Sequence, residues 1–275
     1  LLFELAGAAI LTMSFWQARE GGLADAAWHG VFHAVSAYNN AGFSPDPASL
    51  TGYASNPLVL GAISLLVIVG GIGYPVLNDL VARWRRPRTW SLHTKLTLSA
   101  TGALLIGGAL LILALEWSNP ATLGELSILD RVSNAVFGSV TPRTAGFNTI
   151  DYGAVREPTL LLTESLMLSG GGRASTAGGI KVPTFALLGF VIRAELRGEP
   201  EVNVFDRRVP TTTQREALSV ALLFVGAIVV GAFVLGITSN YPEGDLLFES
   251  ISALGTVGLS TGITPSLSPV AQAFL

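Results

Sequence analysis

The sequence predicts an all-α integral membrane protein, in which units of membrane helix, pore helix, filter loop and membrane helix repeat around one pore. Half of the 275 residues are apolar and only 13% are charged, whereas soluble domains carry about 25% charged residues. Several uncharged stretches have the roughly 20 residues that a bilayer span needs. A short apolar segment that ends in a glycine turn also occurs three times between those stretches.

Three stretches without a charged residue are long enough to cross a bilayer as helices: 57–77, 96–115 and 217–239. A shorter apolar run at 5–16 is expected to be the end of a span whose start precedes this chain. A further span is expected to begin at about Ser268. The apolar region 158–192 is interrupted by glycines, and we interpret it as one broken span.

The composition excludes several other classes of protein. The absence of cysteine excludes a disulfide scaffold and a thiolate metal site. The net charge of −3 provides no basic surface for nucleic acid. The three histidines, at 29, 33 and 93, are scattered and do not suggest a zinc site. No cofactor is expected, and membrane lipid is the expected surroundings.

Lysine and arginine are concentrated in two loops, 83–95 and 194–215. The positive-inside tendency predicts that both loops are cytoplasmic and that the short apolar segments lie on the external side of a multi-pass cell-membrane protein. The second loop also holds several acidic residues, which weakens the prediction that this loop is cytoplasmic. The two loops divide the chain into three units, 1–82, 96–193 and 216–275.

Each unit contains an apolar segment that is too short to span a bilayer, and each of these segments precedes a glycine turn. The segments are 28–39, 129–140 and 245–254, and the glycines are Gly42, Gly146 and Gly258, which lie 104 and 112 residues apart. A large apolar residue and a small polar residue follow each glycine. A single such glycine is ordinarily a loop turn or a close helix contact. Three in register predict a repeated membrane module.

Such a module favours a cation. Irregular backbone at membrane depth is tolerated only inside protein or beside water. The end of a short helix carries free carbonyls and partial negative charge. Glycine permits a positive φ, so successive carbonyls can face one axis. The segment Thr256–Ser260, Thr-Val-Gly-Leu-Ser, closely follows the Thr-Val-Gly-Tyr-Gly loop of potassium-channel filters.

At these residues the sequence resembles the Trk/Ktr/HKT family of potassium transporters. The matching motifs are Asn-Ala-Gly-Phe at 40–43, Pro-Arg-Thr-Ala-Gly-Phe-Asn-Thr-Ile-Asp at 142–151 and Ser-Thr-Ala-Gly-Gly-Ile-Lys at 175–181. The resemblance implies four membrane–pore–membrane repeats around one pore. By this resemblance, 1–82 is the second repeat with a truncated start, 96–193 is the third, with a broken second span, and 216–275 is the fourth with a truncated end. A homodimer and a cytoplasmic nucleotide-binding regulatory subunit are implied in the same way.

The resemblance also implies that backbone carbonyls of nine residues hold potassium, and that no other metal site is present. These residues are Asn40, Ala41, Gly42, Thr144, Ala145, Gly146, Thr256, Val257 and Gly258. Where the potassium-channel loop has a second glycine, this chain has Ser44, Asn148 or Ser260. That departure leaves the degree of selectivity over sodium open.

The glycine-rich stretch 170–181 has three possible interpretations. Five glycines make a continuous helix costly, at about 1 kcal/mol each relative to alanine. A phosphate-binding loop would need Gly-Lys-Ser/Thr, and this order is absent. The remaining alternatives are a tightly packed kink and, as the resemblance implies, a flexible loop below the filter that gates the pore. The residues assigned to this gating loop are Gly170, Gly171, Gly172, Arg173, Ser175, Thr176, Gly178, Gly179 and Lys181.

Other charged residues are weaker candidates. Arg143 precedes the second filter strand, and we expect it to brace that strand against a carboxylate such as Asp151. Glu164 either faces the pore or pairs with Arg173 or a backbone donor. His33 is expected to be a packed, hydrogen-bonded residue and not a ligand.

The leading functional hypothesis is potassium translocation through a carbonyl-lined filter with an intramembrane gating loop. The alternative is a secondary transporter of a small solute or a sodium-coupled cation, because such proteins also use broken helices at mid-membrane. That class shows inverted repeats and usually two broken spans, whereas these repeats share one orientation. No enzyme is expected, because neither paired carboxylates nor a Ser/His arrangement is evident within the spans.

Overall fold

The all-α prediction is confirmed. A computed structural model describes residues 1–205 and 207–275. The helices are α1 (Leu2–Ala18), α2 (Gly22–Tyr38), α3 (Pro57–Ile72), α4 (Tyr74–Arg83), α5 (Leu92–Glu116), α6 (Ile128–Val140), α7 (Glu157–Met167), α8 (Val182–Arg197), α9 (Thr211–Thr238), α10 (Glu243–Leu254) and α11 (Pro269–Phe274). A small antiparallel hairpin, β1 (Asn203–Val204) and β2 (Arg207–Arg208), lies between α8 and α9, with Asn203 opposite Arg208.

Two of the predicted spans are single long helices. The stretches 96–115 and 217–239 correspond to α5 and α9, which are the helices long and apolar enough to cross a membrane on their own within the described chain. The run at 5–16 lies within α1, which is apolar but shorter. Helix ends also extend into the predicted loops 83–95 and 194–215, since α5 begins at Leu92 and α8 ends at Arg197.

The prediction of one continuous span at 57–77 is wrong. Helices α3 and α4 meet at an angle of 96°, at Gly73, whose φ is 91°. Pro75 has no N–H, so the carbonyl of Gly71 has no helical donor four residues later. The helix therefore ends at Ile72, and the chain restarts as α4 in a new direction.

Polar residues next to the spans fix where helices begin. The side chains of Asn56, Ser91 and Ser127 accept hydrogen bonds from the backbone N–H groups near the starts of α3, α5 and α6, at 3.1–3.3 Å. Each cap satisfies one of the N–H groups that a helix start leaves without a partner. Apolar runs thus become helices of defined length.

Helices α2, α6 and α10 each pack against the helix that precedes them, giving the pairs α1–α2, α5–α6 and α9–α10. In the first pair the two helices are equally long, because α2 begins at Gly22, before the predicted segment 28–39. A glycine marks the closest approach in each pair. A side chain on Gly30 would meet Thr12, one on Gly108 would meet Ser139, and one on Gly231 would meet Ser250. Small residues allow helix backbones to approach closely where the surrounding lipid is as apolar as the side chains.

Helices α2 and α6 both pack against α3, and α10 packs against α7. The largest apolar cluster joins α1, α2, α3 and α6, with Phe15, Ile63 and Phe147 fully buried. By contrast, α9 exposes Leu222, Leu223 and other large apolar side chains, as expected for a helix that faces lipid.

Candidate ion pathway

The three glycine turns share one backbone conformation. The φ values of the glycines are 72° at Gly42, 76° at Gly146 and 85° at Gly258. The residue two positions earlier is also left-handed in every turn, although it is never glycine: the three are Asn40, Thr144 and Thr256, with φ of 52°, 68° and 54°. L-residues rarely adopt this conformation. The recurrence therefore shows that the surrounding structure imposes the same shape on all three strands.

The strands lie beside one another at the level of their glycines. A side chain on Gly42 would meet the carbonyl oxygen of Ala145, and one on Gly146 would meet the carbonyl oxygen of Val257. The Cβ position built on Gly258 lies 4.0 Å from the Cα atom of Gly146. The middle strand, 144–146, is thus flanked by the other two. Glycine is required at 42 and 146 by both the close approach and the positive φ.

Carbonyl groups are the chemically available part of these strands. Their N–H groups turn back to the short helices: Ala41 donates to the carbonyl of Ser36 at 2.9 Å and Val257 to that of Ser252 at 2.8 Å. Among the described residues, no protein donor is hydrogen-bonded to the carbonyl oxygens of 40–42, 144–146 or 256–258. Free carbonyls of this kind can replace the hydration shell of a monovalent cation.

Hydroxyl groups on the short helices hold the residue after the glycine in the first two turns. The Ser36 hydroxyl donates to the carbonyl of Phe43 at 2.8 Å, and the Thr141 hydroxyl donates to the carbonyl of Phe147 at 2.5 Å. In these two turns, the residue after the glycine is therefore anchored by the end of the helix that leads into the turn.

The third turn has a carboxylate as its anchor, which the sequence analysis missed. Buried Glu249, on α10, accepts hydrogen bonds from the Ser260 hydroxyl at 2.5 Å, the Thr261 N–H at 3.1 Å and the Thr264 hydroxyl at 2.7 Å. The signal was present in the sequence, because Glu249 lies nine positions before the filter glycine Gly258. His33 lies nine positions before Gly42.

The predicted broken span is interrupted between Met167 and Val182, where α7 ends and α8 begins. The two ends of the interruption are held together: Gly170 N–H donates to the carbonyl of Ile180 at 2.7 Å, and Val182 N–H donates to that of Gly171 at 2.9 Å. Residues 172–179 form a loop closed by this neck. Lys181 lies in the neck, and its ammonium donates to the carbonyl of Ala177 in the loop at 2.8 Å.

The loop contacts the first residues of the first and third predicted filter strands, Asn40 and Thr256. The Thr176 hydroxyl donates to the side-chain oxygen of Asn40 at 3.1 Å. Gly178 lies so close to Thr256 that a side chain would collide with its hydroxyl. Predicted filter and gating residues that are up to 136 positions apart are thus in direct contact.

The loop also completes the end of α3. Gly172 N–H donates to the carbonyl of Gly71 at 2.7 Å, which is the carbonyl that Pro75 leaves without a helical donor. Arg173 contributes its backbone here, since its carbonyl oxygen lies against Gly73, while its side chain is exposed.

The expectation of a carboxylate brace for Arg143 is wrong. In the described chain Arg143 has no carboxylate partner: its guanidinium donates to the Thr101 hydroxyl at 3.2 Å and the carbonyl of Gly170 at 3.4 Å. Asp151 instead accepts from the N–H of Gly153. No described carboxylate pairs with Arg143, because its guanidinium points toward Gly170 at the neck of the loop.

Glu164 is buried on α7 and forms no ion pair with Arg173 among residues 1–205 and 207–275. His33 matches its expectation. It is buried, and its two ring nitrogens contact the carbonyl of His29 at 2.8 Å and the hydroxyl of Ser44 at 3.2 Å.

Comparison with known proteins gives one consistent result. The family model described as TrkH, cation transport protein, matches residues 1–275. The chain is 45% identical over 247 residues to Ktr system potassium uptake protein B of Bacillus subtilis, covering 89% of this chain and 55% of that protein. It is 36% identical over 276 residues to the potassium/sodium uptake protein NtpJ of Enterococcus hirae, covering 99% of this chain and 60% of that protein. The chain thus spans somewhat more than half the length of these relatives.

A solved structure shares the fold. The crystal structure of the potassium transporter TrkH from Vibrio parahaemolyticus matches with a TM-score of 0.72 over 98% of this chain and 58% of that one. The sequences are 19% identical, so this likeness concerns the fold alone.

Proposed function

Because the chain belongs to the TrkH family of cation transport proteins, we propose that it is the ion-translocating part of a potassium-transporting membrane subunit. The observation that carries the proposal is the set of three turns with one backbone shape, in which the first two glycines lie against a carbonyl of the next strand. The relatives named as potassium uptake proteins support potassium as the ion. No catalytic chemistry is part of this function.

In this proposal the carbonyls of 40–42, 144–146 and 256–258 replace part of the hydration shell of potassium. The units 1–82, 96–193 and 216–275 are three repeats of one pore, and a fourth strand from outside this chain completes the ring. Loops 83–95 and 194–215 are cytoplasmic. A reporter fused at Arg85 would then be cytoplasmic and one fused at Asp151 external, and the reverse pattern would invert the pathway.

Residues 170–181 act as a gate below the filter. The contacts of Thr176 with Asn40 and of Gly178 with Thr256 support this role, because they hold the loop against the first residues of two strands. Moving the loop aside would open the path without altering the filter carbonyls.

Deleting Gly171–Ser175 in the full-length subunit tests the gate. We expect a higher rubidium flux per folded molecule in vesicles and an unchanged preference among ions, because the filter lies in other segments. Arg173→Gln is the matched control, since it removes the charge and keeps the loop length. Lower flux at normal folded yield would contradict gating and leave the loop a packing role.

The Ktr relatives also suggest partners. Their names describe a system, which supports association with another subunit. In this proposal the partners are a second copy of the chain and a cytoplasmic nucleotide-binding regulatory subunit. Purification of the full-length subunit in native lipid, followed by mass measurement, tests the dimer. Nucleotide-dependent flux that appears only after a regulatory subunit is added would test the second partner.

One observation favours the alternative of sodium-coupled transport. The chain has a second break, at Gly73 between α3 and α4, in addition to the break between α7 and α8. Paired breaks are typical of secondary transporters. Potassium uptake that requires an inward sodium gradient would favour coupling, and uptake that follows the potassium gradient alone would favour a passive pathway.

A further inference from the structure

Arg143 is a buried cation whose described acceptors are all uncharged. Only 6% of the residue is exposed. Its terminal nitrogen Nη2 contacts the Thr101 hydroxyl on α5 and the carbonyl of Gly170 at the neck of the intramembrane loop. Its Nε atom has no acceptor within the described residues. The guanidinium is therefore held by neutral oxygens, and one of them belongs to the loop.

A buried charge depends strongly on each acceptor it has. Desolvating a guanidinium costs several kcal/mol, and hydrogen bonds must compensate for that cost. With five N–H donors and few described acceptors, losing the carbonyl of Gly170 would leave Arg143 less satisfied. The loop position shown here is thus the position that Arg143 stabilises.

Asn40 forms a second connection between the same elements. Its amide nitrogen donates to the backbone carbonyl of Arg143 at 3.4 Å, and its amide oxygen accepts from the Thr176 hydroxyl at 3.1 Å. The loop is consequently attached to the inner end of the filter at two points, Gly170 and Thr176. Arg143 takes part in both attachments. Its side chain donates to the carbonyl of Gly170, and its backbone carbonyl accepts from Asn40, which in turn contacts Thr176.

We propose that Arg143 and Asn40 form a latch that holds the intramembrane loop against the inner end of the filter, with Arg143 as the positioning residue. The effect of the latch on gating rests on the proposed function, whereas the contacts that form the latch do not depend on it. Release of the loop breaks contacts with the residues that precede and begin two filter strands. Loop position and filter strands are therefore energetically coupled, and coupling of this kind acts in both directions.

The test measures loop mobility and ion flux separately in the full-length subunit, in a background without other cysteines. A spin label on Ala174→Cys reports loop mobility, since Ala174 is exposed. Rubidium flux per folded molecule reports gating. The variants are Arg143→Met and Thr176→Val, with Arg143→Lys as the conservative rescue. Arg131→Met is the matched control, because Arg131 donates only to carbonyls away from the loop.

We expect Arg143→Met to mobilise the label and to raise flux roughly tenfold, the equivalent of losing about 1.4 kcal/mol from the latched state. Thr176→Val should act in the same direction with a smaller effect, and Arg143→Lys should restore part of the wild-type behaviour. Arg131→Met should change neither readout.

The two readouts separate the latch from the gate. An immobile label in both Arg143→Met and Thr176→Val would overturn the latch. A mobile label with unchanged flux would leave the latch standing and reject the gating role in the proposed function. Thr176 is exposed, so its near-isosteric valine variant decides the question even if Arg143→Met does not fold.

Discussion

The outer ends of the three filter strands use different chemistry at equivalent positions. Nine residues before the glycine lies His33 in the first unit, Phe137 in the second and Glu249 in the third. His33 contacts Ser44 at 3.2 Å, and Glu249 contacts Ser260 at 2.5 Å, both two residues after the glycine. Phe137 makes no such hydrogen bond and packs in the apolar core. The strand conformation nevertheless stays the same.

The second unit has no polar side chain at this position, and its strand is held from two sides. The Thr141 hydroxyl of its own unit donates to the carbonyl of Phe147. Its residue Asn148 is held by the first unit: Leu50 N–H donates to the carbonyl of Asn148 at 3.0 Å, and the Ser49 hydroxyl accepts from the N–H of Asn148 at 3.3 Å. The middle strand is therefore secured by its own unit and by the first unit together.

The largest effect is expected at Gly146, the glycine that lies closest to the adjacent strand. Gly146→Ser should lower the potassium-to-sodium uptake ratio of the full-length subunit by tenfold or more, about 1.4 kcal/mol. A side chain there would collide with the carbonyl of Val257 and would require a positive φ. Relative uptake of the two ions in a transport-deficient host measures the change.

Gly107→Ser is the matched control for that experiment. Gly107 lies on α5, and a side chain there would meet nothing within 4 Å. Its uptake ratio should equal that of the wild type. If Gly146→Ser also kept the wild-type ratio, the middle strand would not be part of the filter.

Much of this arrangement could be predicted from the sequence, because it depends on local patterns. The spans follow from uncharged stretches, and the turns follow from three glycines in register after short apolar segments. The break between α7 and α8 follows from its glycine cluster. These features need only the chain's own neighbourhood, as the match of 129–140 to α6 (Ile128–Val140) illustrates.

The features that escaped prediction are contacts between distant segments. The partner of Arg143 was expected nearby in sequence, at Asp151, but is Gly170 in the loop. The bend at Gly73 was missed because hydropathy does not show that Pro75 leaves the carbonyl of Gly71 without a helical donor. Hydropathy also does not show that the N–H of Gly172, about 100 residues later, donates to that carbonyl. The left-handed conformation of Asn40 was also not apparent, since nothing local requires it.

An intermediate effect is expected at Glu249, the carboxylate anchor of the third strand. Glu249→Ala should lower the free energy of unfolding by about 3 kcal/mol, because three donors lose a buried charged acceptor. It should also reduce discrimination between potassium and sodium, but by less than Gly146→Ser does. Thermal unfolding in detergent and relative ion uptake measure the two effects.

Glu243→Gln provides the control on the same helix. Glu243 is exposed in the first turn of α10, so its variant should unfold like the wild type. The unfolding free energy of Glu249→Gln should lie between those of Glu249→Ala and Glu243→Gln, since an amide keeps one acceptor oxygen. A Glu249→Ala protein as stable and selective as the wild type would show that the third strand, like the second, is held by other contacts.

The smallest effect is expected for His33→Phe, which gives the first unit the residue type of the second. The ring should keep its packing against Phe15, whose centroid lies 5.3 Å from that of His33. The contacts of the ring nitrogens with the Ser44 hydroxyl and the carbonyl of His29 are lost, but Ser44 still accepts from the N–H of Asp46 at 3.1 Å. Each neutral hydrogen bond contributes about 1 kcal/mol, so we expect a loss of about 2 kcal/mol in unfolding free energy and less than a twofold change in uptake ratio. Both are measured beside Glu249→Ala. A loss of selectivity as large as that of Glu249→Ala would mean that the two flanking strands depend equally on the side chain nine residues before their glycines.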